Sequence, residues 1–303
     1  MRTAGLILCI SVFILTACRV QPPARCRVGA FLADVPDSID IERFRRELSD
    51  KLSIILVFVD WDNIVQLRVI EDVYNSGCSL MITWEPWYAA DKMPVDYDAL
   101  LTGSYDEYID DFARSIKNIP GEVFLRFAHE ANGDWYPWSG PVIGYDKYIR
   151  ICRYVKDRFV LSGVTNVKWV FAVNNESAFG HDAVWKCYPG DQYVDIIGFD
   201  GYNWGEAGSW SKWRPFKDIF GPVYDAAAVK YDKPLMITEV SSSSKGGDRS
   251  GWIKDALVEL KNMKRIAAVV FFNVDKETDW KFSAAATDGG ALRGILADRL
   301  FYR

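Results

Sequence analysis

Eight short apolar runs, separated by segments of helical periodicity, recur from residue 28 to the end of the chain, and this recurrence constrains the fold more than any single motif. The runs cover residues 28–32, 54–59, 80–83, 123–127, 167–173, 194–199, 235–238 and 268–273. Each is rich in Val, Ile, Leu and Phe without clean alternation of apolar and polar positions, the pattern of strands buried on both faces. Between them, residues 41–51, 105–118, 145–161, 216–231 and 251–263 carry the clearest helical patterns. In the last of these, Ile253, Ala256, Leu257 and Leu260 fall on one face. Eight alternations in about 275 residues predict an α/β fold of the (β/α)8 TIM-barrel type, in count and in length. A doubly wound open sheet is the rival, but nothing here resembles its Gly-rich first turn. No linker, internal repeat or low-complexity run divides the pattern, so residues 28–303 are expected to form one domain.

What precedes the first run reads as an export segment. Arg2, the apolar stretch from Leu6 to Leu15 and the small residues after it form a signal peptide over residues 1–17, too short to span a membrane. It ends in Leu15-Thr16-Ala17-Cys18, which resembles the bacterial lipobox, where Cys18 is lipidated and becomes the new N-terminus. Such a chain is anchored to a bacterial membrane without crossing it. Residue 19 is Arg rather than Asp, so the inner-membrane retention signal known for lipoproteins of this kind is absent, and the outer membrane or cell surface is the expected location. Residues 18–27, with Pro22 and Pro23, read as a short tether. Export permits disulfides among Cys26, Cys78, Cys152 and Cys187, and spacing does not choose among their pairings. With 2 His and no Cys-x-x-Cys pair, no metal site or other cofactor is expected. A net charge of −5 without a basic stripe argues against a nucleic-acid partner, and the chain is expected to act as a monomer.

In a barrel of this kind, chemistry sits at the C-terminal ends of the strands. Those ends carry Asp34, Asp60-Trp61, Trp84-Glu85-Pro86-Trp87, His129-Glu130, Asn174-Asn175, Asp200-Gly201-Tyr202-Asn203-Trp204, Glu239 and Asn273. Polar and aromatic residues gathered at one rim describe a cleft rather than a core. Aromatic residues make up 15% of the chain, 12 of them Trp, and flat apolar faces beside carboxyl groups suit a sugar ligand. Retaining cleavage of a glycosidic bond needs two carboxyls about 5 Å apart, one as acid/base and one as nucleophile. Glu130 ends the fourth run and Glu239 the seventh, opposite each other across a narrow barrel mouth. Glu85, Asp200, Asp34 and Asp60 compete for the same roles, although for any one of them a salt bridge or helix cap is the simpler account.

The segment Leu125-Arg126-Phe127-Ala128-His129-Glu130-Ala131-Asn132-Gly133-Asp134-Trp135-Tyr136-Pro137-Trp138 resembles the acid/base segment of glycoside hydrolase family 26. Residues 195–204 and 234–239 resemble that family's sixth and seventh strands, and the likeness runs in order through most of residues 28–303. The resemblance implies an eight-stranded barrel that hydrolyses internal bonds of a β-linked polysaccharide with retention. Members are mainly β-mannanases, with some mixed-linkage β-glucanases and β-1,3-xylanases. It further implies Glu130 as acid/base, Glu239 as nucleophile, His129 as a sugar contact that helps set nearby carboxyl pKa values, and Tyr202 as a hydrogen-bond donor to the nucleophile. Trp84, Trp135 and Trp280 are then expected to stack on sugar rings, with Asn174 among the substrate-binding residues, while Arg126 reads as an ion-pair partner beneath the site. The chain departs from the family's mannanases in one place. They often carry Trp-His after the third strand, where this chain has Trp84-Glu85, which brings it closer to the glucanase-like members. Two other readings share the scaffold: a non-catalytic polysaccharide-binding lipoprotein, which the presence of both carboxyls disfavours, and a hydrolase that trims the cell's own exopolysaccharide.

Overall fold

The computed structural model describes residues 25–177, 180–282 and 286–302. Residues 1–17, read as a signal peptide, Cys18 and most of the segment read as a tether lie outside the described residues. Eight parallel strands form the barrel: β1 Cys26–Phe31, β2 Leu52–Val59, β3 Ser79–Trp84, β4 Val123–Phe127, β5 Val167–Asn174, β6 Ile196–Asn203, β7 Leu235–Ser242 and β8 Ile266–Phe272. They pair in chain order, and β8 closes on β1 through the register Arg27↔Ala268 to Phe31↔Phe272. Helices α1 Ser38–Glu47, α2 Leu67–Asn75, α3 Asp106–Lys117, α4 Tyr145–Leu161, α5 Phe216–Lys230, α6 Arg249–Asn262 and α7 Thr287–Leu296 surround it. Among the described residues no helix is long and apolar enough to cross a membrane.

One of the eight expected alternations differs. Between β5 and β6 the described chain forms two 3-10 turns, His181–Cys187 and Asp191–Tyr193, and no α-helix. Pro189 cannot donate a helical hydrogen bond and Gly190 has φ 108°, so a helix cannot run through this segment.

The missing alternation of the strands follows from burial on both faces. Along β2, Ile54 and Leu56 point into the barrel with Phe31, Met81, Phe124, Val170, Ile196, Met236 and Val270. Leu52, Ile55, Val57 and Val59 point outward against the helices. The helices supply the matching stripe: Tyr148, Ile151, Val155 and Phe159 of α4 recur at helical spacing and are buried. Close approach inside the barrel explains Gly198, where a Cβ would lie 2.7 Å from the Thr238 side chain.

The four cysteines Cys26, Cys78, Cys152 and Cys187 are free thiols, so no disulfide staples the described chain. Burial pushes the thiols of Cys152 and Cys187 up to about 12, which keeps them protonated and poorly reactive.

Candidate active site

Above the apolar layers the barrel interior turns polar, with Arg126 at its centre. Strand parity puts Phe124 and Arg126 of β4 inside, and Arg126 is fully buried. Its guanidinium donates to Asp200 at 2.7 and 2.6 Å, its Nε to Thr83 Oγ1 at 2.8 Å, and its Nη2 to Glu239. Four strands are thereby tied together from within. Burial opposes the charge on Arg126, but Asp200 and Glu239 outweigh it and hold the guanidinium above its ordinary range. Sequence reasoning read Arg126 as the ion-pair partner beneath the site, and it lies there; Asp200, taken for a rim carboxylate, lies buried beside it.

Glu239 reaches the interior through a bulge. β6 pairs Phe199 with Ile237 and then Asp200 with Glu239, while β8 pairs Val269 with Ile237 and then Phe271 with Val240. β7 therefore holds one residue more than both neighbours between Ile237 and Val240. Simple alternation from Met236, which points inward, would turn Thr238 in and Glu239 out. The extra residue re-aims Glu239, so that Thr238 Oγ1 donates to Asp200 at 2.5 Å while Glu239 accepts from Arg126 and from the Tyr202 hydroxyl.

Glu130 follows β4 on a strained turn. Ala128 and Glu130 have φ of 51° and 49°, a region that non-glycine residues seldom occupy and that clusters at functional sites. The carboxyl accepts from Asn174 Nδ2 and from Trp135 Nε1, both at 2.6 Å. Burial, and after it the negative charge of Glu239, pushes Glu130 up to about 7. Glu130 and Glu239 line one cleft of about 830 Å3 with Phe58, Trp135, Tyr136, Asn174, Tyr202 and Trp210, among others.

The structure sorts the expected sugar contacts. Trp135 is 47% exposed and faces the cleft, and Tyr202 and Asn174 line it. Trp84 does not: it is fully buried on the outward face of β3, stacked on Phe112 at 4.0 Å and on Trp61 at 4.9 Å. Strand parity decides this, since Met81 and Thr83 point inward and Trp84 therefore outward. Trp280 forms part of the cleft wall but is 1% exposed, packed on Tyr202 and Trp204 at 4.9 and 4.8 Å, so it stiffens the wall rather than offering an open face. His129 is likewise covered. It lies against Tyr136 and Trp138 at 4.8 and 5.7 Å, and burial, followed by the charge of Arg126, lowers its pKa well below the ordinary value. The imidazole is covered and, unlike Trp135, does not line the cleft.

Trp210 escaped the sequence reading. It is 71% exposed, lines the cleft and meets Trp204 edge-on at 5.0 Å. A tryptophan in the polar loop Gly205-Glu206-Ala207-Gly208-Ser209-Trp210-Ser211-Lys212 carries the same signal that singled out Trp135. Asp60 serves its own loop, accepting from Asn63 Nδ2 at 2.5 Å and from the Ala89 amide at 3.3 Å. Among the described residues no His, Cys, Asp and Glu side chains are grouped so as to hold a metal ion.

The chain matches the family model described as glycosyl hydrolase family 26 over residues 56–284. It is 38% identical to endoglucanase H of Acetivibrio thermocellus across 86% of this chain, which spans 29% of that protein. It is 32% identical to a mannan endo-1,4-beta-mannosidase of Bacillus subtilis across 31% of this chain and 27% of that one. Among solved structures, the catalytic domain of an endo-beta-1,4-mannanase from Bacillus sp. JAMB-750 superposes with a TM-score of 0.69 at 16% identity, covering 91% of this chain and 87% of that chain. A modular endo-beta-1,4-mannanase from Cellulomonas fimi gives 0.69 at 15% identity, covering 91% and 71%. These structural likenesses identify the fold as the (β/α)8 barrel. The chain spans less than a third of the length of the endoglucanase and of the mannosidase.

Proposed function

The chain belongs to glycosyl hydrolase family 26, and on that premise we propose that it is a retaining endo-β-glycanase in which Glu130 is the acid/base and Glu239 the nucleophile. The observation that carries the reading is the unlike treatment of two carboxyls in one cleft. Glu130 receives neutral N–H donors, is buried beside a second carboxyl and is pushed up to about 7, so it can hold a proton for the leaving oxygen. Glu239 receives the Arg126 guanidinium and the Tyr202 hydroxyl, which hold it in place to attack the anomeric carbon.

In the first displacement Glu239 forms a bond to the anomeric carbon as the glycosidic bond breaks and Glu130 gives its proton to the departing oxygen. In the second, Glu130, now a carboxylate, takes a proton from water as that water releases the sugar from Glu239. The covalent intermediate removes one negative charge from the cleft, which makes it easier for Glu130 to act as a base at that stage. Trp135 and Trp210 offer open ring faces for the flanking sugars. Likeness to an endoglucanase across 86% of this chain, against 31% for the mannosidase match, favours a β-glucan as the polymer. The Glu85 that replaces the mannanases' histidine points the same way.

The test is hydrolysis of barley β-glucan and konjac mannan by the wild type and by Glu130→Gln and Glu239→Gln, with early products followed by NMR. We expect retention of the anomeric configuration and a loss of roughly 10²–10⁴-fold or more in kcat for each variant. Wild-type turnover in either variant, or an inverted first product, would sink the assignment.

A further inference from the structure

The cleft does not end at Glu130 and Glu239. A second chamber of about 790 Å3 lies over the ends of β1, β2 and β3. It shares Phe58, Tyr136, Phe272 and Lys276 with the first, so one ligand chain can run through both.

Glu85 stands in this chamber, one residue beyond β3. Met81 and Thr83 point into the barrel, and the same parity brings Glu85 to its mouth. The side chain is only 8% exposed. Among the described residues its carboxyl has one hydrogen-bond partner, Trp87 Nε1, which donates to Oε2 at 3.2 Å. Oε1 has none. Burial pushes this enclosed carboxyl up to about 7.

The segment that carries it is firmly placed. Glu85 N donates to Val59 O at 2.8 Å, Trp61 N to Trp87 O at 2.9 Å, and Tyr97 Oη to Pro86 O at 3.1 Å. After this segment, Trp87–Tyr88 pairs with Met93–Pro94 as a two-stranded ribbon. Glu85 is therefore held with its open oxygen toward the chamber, placed to accept from a group that enters it. The rest of the lining narrows what that group is. Asp34, Asp60 and Asp275 add acceptors and negative charge, Asn63 and Gln66 add amides, and Lys276 is the single cation. Such a wall receives hydroxyl donors and repels carboxylate or sulfate substituents.

We propose that Glu85 is a specificity-determining residue: its free carboxyl oxygen hydrogen-bonds a hydroxyl of the sugar unit in the second chamber and, with Trp87, selects neutral, unsubstituted stretches of the polysaccharide. This rests on the glycanase reading of the first cleft. It also gives the Trp84-Glu85-Pro86-Trp87 segment a role of its own, separate from the chemistry at Glu130 and Glu239.

The test compares the wild-type chain with Glu85→Ala and the near-isosteric Glu85→Gln on oligosaccharides of whichever neutral β-glycan the wild type cuts, from disaccharide to hexasaccharide. A carboxymethylated form of the same polymer is included, and thermal melting checks that each variant is folded. Glu85→Ala should lower kcat/KM roughly 10- to 100-fold on the longest oligosaccharides, mostly through KM, and by less than about threefold on those too short to reach the chamber. Glu85→Gln keeps the shape and one acceptor and should lose less, and both variants should discriminate less against the carboxymethylated polymer. Equal losses at every length, a loss confined to kcat, or no loss would overturn the proposal while leaving the glycanase reading intact. A wild type that cuts no β-glycan would overturn both.

Discussion

At Glu130 the backbone and the side chain are both held in states they would leave if the surroundings allowed. A left-handed φ of 49° costs about 1–3 kcal/mol, and Ala128 two residues earlier carries the same strain. The turn is fixed from several sides. Ala128 N donates to Trp84 O at 3.0 Å, Tyr148 Oη to Ala128 O at 2.9 Å, Trp138 Nε1 to His129 O at 2.8 Å and Gly133 N to Glu130 O at 3.0 Å. That scaffold keeps the carboxyl beside Glu239, and a proton relieves the repulsion between them. The pH dependence follows with a definite sign. Glu130 is raised from its ordinary value of 4.5 to about 7, so the proton needed by a general acid is present below about 7 and lost above it. A plot of log kcat/KM against pH should therefore fall with unit slope above about 7. Glu130→Gln, assayed on an activated aryl glycoside that needs no acid to leave, should lack that alkaline limb. A wild-type limb near 4.5, or an unchanged limb in the variant, would assign it to another group.

At the scale of elements, β3 and β7 show what a strand sequence discloses and what it hides. The apolar runs located all eight strands, and residues 123–127 and 145–161 matched β4 and α4 at both ends. β6 and β7 extend to Asn203 and Ser242, beyond their apolar runs, because ladder hydrogen bonds continue where the strand rises into the polar mouth. Trp84 was misplaced because a rim tryptophan in sequence can face either the cleft or the helix layer. Parity counted from Met81 and Thr83 resolves β3, and the same counting fails on β7, where the bulge inserts a step that no residue type announces. The barrel's order was thus legible, the cleft's two carboxyls were legible as strand ends, and the covered rings Trp84, Trp280 and His129 were not. The packing of β3 on α3 yields a test. Trp84→Ala removes a fully buried indole stacked on Phe112 and should destabilise the fold by about 3–5 kcal/mol in urea unfolding. The variant that remains folded should keep a near-wild-type KM. A KM rise with unchanged stability would restore Trp84 to the substrate site.

For the whole molecule, Arg126 is the point where closure of the barrel and the chemistry of the cleft depend on one side chain. It ties β4 to β3, β6 and β7 through Thr83, Asp200 and Glu239, and its charge opposes the burial that raises Asp200. A buried ion pair adds little net stability over a well-packed apolar substitute, yet removing one partner alone is severe because it strands the other's charge. Arg126→Leu should therefore lower the unfolding free energy at neutral pH by about 3–5 kcal/mol, far more than its lost contacts with Phe58 would account for. The sign of the pH dependence separates the two causes. Burial already raises Asp200 and Arg126 opposes that rise; without Arg126 the rise is larger, so the variant's deficit should shrink as pH falls and Asp200 takes up a proton. Arg126→Lys keeps the charge but not the fork that serves Thr83, Asp200 and Glu239 together, and should recover only part of the stability. If urea unfolding across pH gave the same deficit at every pH, the loss would be one of packing. Arg126 would then be a filler of the barrel rather than the counter-charge that joins it to the cleft.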